Sequence, residues 1–98
     1  MRIQLLHFEG CPSWRITADD LTALAEEFDF DWELVSVGAE DDLTGLGFRG
    51  SPTLLVDGTD PFADDGQPFA FACRVYATPQ GLAGSPSRDQ LREMFSQR

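Results

Sequence analysis

Phe8-Glu9-Gly10-Cys11-Pro12-Ser13-Trp14 is the stretch whose reading decides the fold. A glycine turn leads into a cysteine and then a proline, at the point where an apolar periodicity of helical type begins. Proline is tolerated in the first helical turn because its missing N–H has no intrahelical partner there. A cysteine just before it stands near unpaired amides and the positive end of a helix dipole, a position that favours thiolate over thiol. Cys11 is therefore a candidate nucleophile, to be weighed against the ordinary role of cysteine as a small buried hydrophobe.

Working outward, Arg2 to Phe8 carries Ile3, Leu5, Leu6 and Phe8, a density that predicts a strand buried on both faces at a central place in a sheet. His7 lies inside it, and a lone histidine is more often a core residue than a ligand, since zinc wants three or four protein ligands. Beyond Cys11, the residues Trp14, Ala18, Leu21, Ala25 and Phe28 recur at spacings of 4, 3, 4 and 3. They predict a helix from Pro12 to about Phe28 that packs this stripe on the sheet, with Asp19, Asp20, Glu26 and Glu27 facing water. Phe30 to Val37 reads as a second strand. Strand, helix and strand make a βαβ unit whose right-handed crossover sets the strands parallel. Cys11 then stands at the carboxyl edge of a parallel sheet, where open α/β folds place their sites.

Gly38 to Phe48 is acidic, with Ala39 to Leu43 as one short helix and Gly45 and Gly47 stopping any longer one. Arg49-Gly50-Ser51-Pro52 is a rigid turn feeding a third strand, Thr53 to Val56, that ends in the reverse-turn pair Asp57-Gly58. Gly58 to Pro68 is an irregular excursion. Its Asp60, Asp64 and Asp65 invite a calcium reading, but the ordered spacing and final Glu of an EF-hand loop are absent. Phe69 to Tyr76 predicts a fourth strand, antiparallel to the third, with Phe69, Phe71, Cys73 and Val75 on one parity. Ser87 to Gln90 starts a closing helix, its cap Ser85 or Ser87, with Gln90 three residues after Ser87 as in a capping box and Leu91, Met94 and Phe95 as its buried face.

The chain has 98 residues, seven of them Arg and none Lys, against seventeen Asp and Glu, a net charge of −10. That length suits one domain, 1–98. The charge repels phosphate backbones and anionic membranes, so neither a nucleic acid nor a membrane is an expected partner. No run is long enough to span a bilayer and no secretory signal opens the chain, which makes the cytoplasm the expected location. Two cysteines do not make a disulfide scaffold, and a reducing compartment would keep them as thiols unless they are catalytic or sensing. No cofactor or metal is expected.

The order β-α-β, a short helix or loop, then β-β-α, resembles the thioredoxin fold in its minimal, glutaredoxin-like form: an α/β domain with a four-stranded mixed sheet flanked by helices. Gly10-Cys11-Pro12-Ser13-Trp14 stands in the place of that family's active-site turn, and Arg49-Gly50-Ser51-Pro52-Thr53-Leu54 in the place of its cis-proline turn. The wording is also similar to small bacterial thioredoxin-like proteins that lack the second active-site cysteine, because Trp14 occupies the position three after Cys11 where the family carries its resolving cysteine.

The resemblance implies that Cys11 attacks a disulfide and that Ser51, before a cis Pro52, presents backbone groups to a bound thiol-containing chain. Trp14 and Arg15 flank the thiol as further substrate-contacting positions, Trp14 standing either in the core or as a lip over the site. The partner is then a protein thiol or a small-molecule thiol, with the oligomeric state open. Three outcomes follow: Cys73 resolves the mixed disulfide, an antiparallel fourth strand returning it toward Cys11; Cys11 works alone with a small thiol; or the activity is gone and the domain binds a protein partner.

Overall fold

The computed structural model describes every residue from Met1 to Arg98 except Asp65. Among the described residues eight elements follow one another: β1 (Ile3–His7), α1 (Trp14–Phe28), β2 (Trp32–Ser36), α2 (Leu43–Leu46), β3 (Thr53–Val56), β4 (Tyr76–Thr78), β5 (Gly81–Ala83) and α3 (Arg88–Ser96). The α/β class and the expected β-α-β-α-β-β-α order are present, with one further strand, β5, before α3. The strands, however, divide between two sheets, a three-stranded one in the order β2-β1-β3 and a β4-β5 hairpin.

β1 occupies the centre, parallel to β2 with Leu5 opposite Leu34, and antiparallel to β3 with Leu5 opposite Leu54. Its apolar density has the cause the pattern implies, because both faces of the strand are covered. On one face Ile3, Leu5, Leu54 and Val56 pack with Leu21 and Leu24 of α1 and Leu91 and Phe95 of α3. On the other, Leu6 and Leu55 meet Val37 and Phe48. Each such side chain withdrawn from water contributes about 1.5–3 kcal/mol.

The stripe of α1 is rotated from its expected setting. Thr17, Asp20, Leu21 and Leu24 are the buried residues of this helix, while Ala18 and Phe28 pack at the margin. Asp20, expected in water, is buried because Nε of Arg88, at the start of α3, donates to its carboxylate at 2.8 Å. The short helix also lies further along than expected. It spans Leu43–Leu46, where the Asp42 side chain accepts from the Gly45 amide and Gly47, at φ 77°, closes it. The capping box of α3 is as the spacing implies, with Ser87 Oγ accepting from Gln90 N and Gln90 Oε1 accepting from Ser87 N.

The single four-stranded sheet is corrected because the expected strand over 69–76 does not form. Residues up to Ala72 are irregular, Cys73 makes one isolated parallel bridge to Ser51, and strand geometry begins only at Tyr76. The parity is also the reverse of a packed aromatic face: Arg74 and Tyr76 are buried, whereas Phe69, Phe71 and Val75 are exposed. Polar bonding decides this. Arg74 turns inward to Asp60, and the Tyr76 hydroxyl donates to the Pro52 carbonyl. Among the described residues, no helix is long and apolar enough to cross a membrane.

Candidate thiol site

β1 ends at His7, and the chain turns through Phe8–Gly10 so that the Cys11 amide donates to the Phe8 carbonyl at 3.3 Å. Cys11 therefore stands between the end of the central strand and the start of α1 at Trp14, only 3% exposed. Opposite it is the turn before β3. Its Ser51–Pro52 peptide is cis, both residues are buried, and Ser51 Oγ accepts from the Phe8 amide at 3.2 Å. That bond ties the turn to the end of β1. The Cys11 sulfur lies 3.8 Å from the Ser51 carbonyl oxygen, an acceptor to which a reduced thiol could donate.

Cys11 is joined to Cys73 by a disulfide across a sequence separation of 62, with Cα atoms 5.8 Å apart. That Cα separation falls in the normal range for a bridged pair. The two residues stand in different surroundings, Cys11 being buried and Cys73 exposed. Cys73 is held by its neighbours: Ser51 N donates to Ala72 O at 2.8 Å, and Arg74 N donates to Ser51 O at 3.0 Å. Gly50, at φ 112°, permits this approach, since a β-carbon there would lie 3.0 Å from both Ala72 O and Arg74 Cβ. The backbone groups of Ser51 are thus occupied by this chain's own segment.

Trp14 is half-buried, its ring 4.2 Å from that of His7 and 4.9 Å from the guanidinium carbon of exposed Arg15. His7 is buried, and among the described residues its Nδ1 has no hydrogen-bond partner, nor does Trp14 Nε1. Burial chiefly, with the nearby Arg15 charge, lowers the His7 pKa below its usual value against the opposing pull of Glu9.

The group that a reading of the residues passed over is Arg74 with Asp60. Arg74 Nη1 donates to Asp60 Oδ2 at 2.6 Å and Nη2 to Phe62 O at 2.9 Å, while Arg49 Nη1 lies 3.8 Å from the same carboxylate. The signal was a single arginine inside the apolar run Phe69 to Tyr76, following an excursion rich in aspartate. Of the aspartates that invited a calcium reading, Asp60 is engaged by arginines, Asp64 is exposed and Asp65 lies outside the described residues.

No protein-family model, curated protein or solved structure matches the chain. The likeness to single-cysteine thioredoxin relatives is corrected by the bridge itself: Cys11 has a partner cysteine, supplied from position 73 instead of 14. What stands is a small α/β fold in which a buried cysteine is paired with an exposed one beside a cis-proline turn.

Proposed function

We propose that the protein carries out thiol–disulfide exchange through the Cys11/Cys73 pair. The observation that carries this reading is the pairing of a cysteine at the carboxyl end of the central strand with an exposed cysteine docked on the Ser51–Pro52 turn. In the reduced protein the Cys11 thiolate attacks a partner's disulfide, forming a mixed disulfide and expelling one partner sulfur as thiolate. Cys73 then attacks Cys11 in that mixed disulfide, which re-forms the Cys11–Cys73 bond and expels the second partner sulfur. Two electrons pass to the partner, whose two thiolates take up the protons the cysteines lose. A thiol reductant restores the dithiol by attacking the sulfur of the exposed residue Cys73, Cys11 departing as thiolate near the positive end of α1. Its second thiol then opens the reductant–Cys73 bond.

The burial of Cys11 favours a second reading, in which the bridge is a permanent staple holding the segment around Cys73 and the domain is a binding module without chemistry. Redox titration with dithiothreitol or glutathione buffers, quenched by alkylation and read by mass spectrometry, separates the two. The exchange reading expects a midpoint above about −300 mV, the upper limit for structural bridges, and reduction of glutathione disulfide by the dithiol form. A midpoint well below that value, with no reaction toward glutathione disulfide, establishes the staple.

A further inference from the structure

The segment that delivers Cys73 lies on the body of the protein in the manner of a bound peptide. Ala70 N donates to Phe48 O at 3.2 Å, Ser51 N donates to Ala72 O, and Arg74 N donates to Ser51 O. The last two make the single parallel bridge of Ser51 with Cys73, the kind of main-chain pairing by which a peptide docks on an edge, where side-chain pockets then give specificity. The side chains follow that division. The Phe71 ring stacks on Phe8 with centroids 4.3 Å apart, the Arg49 guanidinium carbon stands 4.5 Å from the centre of the Phe69 ring, and Cys73 is bonded to Cys11. Phe69 and Phe71 remain exposed while making these contacts, so they serve the surface of the edge and not the core. Arg74, by contrast, is buried on Asp60 and anchors the segment at its carboxyl end.

We propose that Phe8, Phe48, Gly50, Ser51 and Cys11 form a docking edge for an extended, cysteine-containing peptide of a partner protein, selective for an aromatic side chain two residues before its cysteine, and that Phe69–Cys73 is the built-in occupant of this edge. The proposal rests on the exchange reading above. Opening of the Cys11–Cys73 bond frees Phe69–Ala72 to peel away about the Arg74 anchor, which uncovers Phe48 O, Ser51 N and the Phe8 ring. The partner peptide repeats the contacts of Ala70–Cys73 and bonds to Cys11. The return of the segment is then the resolving step, displacing the peptide as Cys73 recovers its bond to Cys11.

The test uses the full chain carrying Cys73→Ser and a synthetic peptide of sequence Phe-Ala-Phe-Ala-Cys-Arg, its cysteine activated as a mixed disulfide with thionitrobenzoate. Attack by the Cys11 thiolate forms the Cys11–peptide disulfide and releases coloured thionitrobenzoate. The expected rate exceeds that of the peptide with Ala two before cysteine by about threefold to tenfold, the worth of an aromatic pair, and rises again when Phe71→Ala loosens the internal occupant. Equal rates for the two peptides, with Cys11 reacting, overturn the docking edge and leave thiol exchange standing. Failure of Cys11 to react with either peptide or with glutathione disulfide in the folded variant overturns both. Hydrogen exchange on the unmutated protein does not depend on the variant folding: reduction should unprotect the Ala70 and Ser51 amides. Unchanged protection of both overturns displacement.

Discussion

The guanidinium of Arg74 and the carboxylate of Asp60 meet at 2.6 Å with their side chains 2% and 1% exposed. Removing one partner from a buried pair leaves the other charge without compensation, at a cost of about 3–5 kcal/mol. Asp60→Asn is therefore expected to lower unfolding stability by that amount in urea titrations. Replacing both partners, Asp60→Leu with Arg74→Met, should cost distinctly less, since the pair as a whole repays little beyond its own desolvation. An Asp60→Asn effect below 1 kcal/mol would place the pair in water.

Cys11 and Cys73 close a loop of 62 positions. Loop-closure entropy for a ring of that size is worth about 4 kcal/mol in the unfolded state. Reduction, or Cys73→Ser, should thus destabilise the protein by up to about that amount, with the oxidised and reduced forms compared in the same denaturant series. A reduced protein as stable as the oxidised one would mean that the loop is already constrained when unfolded.

The Tyr76 hydroxyl donates to the carbonyl of Pro52, and burial foremost raises its pKa well above the ordinary value. The folded state holds this proton where the unfolded chain releases it, so the contribution is whole below about pH 10 and falls as pH rises beyond it. Tyr76→Phe should remove that alkaline loss and cost about 1–3 kcal/mol at neutral pH by leaving the buried carbonyl unpaired. Stability measured from pH 8 to 11 in both proteins checks the two effects together. An identical alkaline limb in the variant would assign the loss to other groups.

His7 acts at the opposite end of the scale. Its lowered pKa means that the unfolded chain binds a proton more readily than the folded one, so stability is full above about pH 6.5 and falls as pH drops through that range. His7→Phe, which keeps a ring against Trp14, should flatten the profile between about pH 5 and 6.5, the carboxylate titrations lying lower. An unchanged acid limb would show that His7 is no more buried than in the unfolded chain.

The βαβ half of the molecule was legible in the residues because its determinants are local. A dense apolar run set β1 at the centre, a helical spacing placed α1 after Cys11-Pro12, and Ser87 with Gln90 marked the start of α3. Even there the buried stripe turned to Leu24 and Asp20, because the position of α3, carrying Arg88, decides which side of α1 is covered. Over Phe69–Tyr76 the local pattern pointed to a strand. The tertiary structure instead drew Arg74 to Asp60 and Tyr76 to Pro52, leaving the backbone near Cys73 to bond with Ser51 and the phenylalanines to lie on the surface. The stretch Gly10-Cys11-Pro12 by itself singled out the candidate sulfur and its place between β1 and α1. Only the tertiary structure decided its partner, since a bridge across 62 positions depends on which surfaces meet and local periodicity carries no record of that choice.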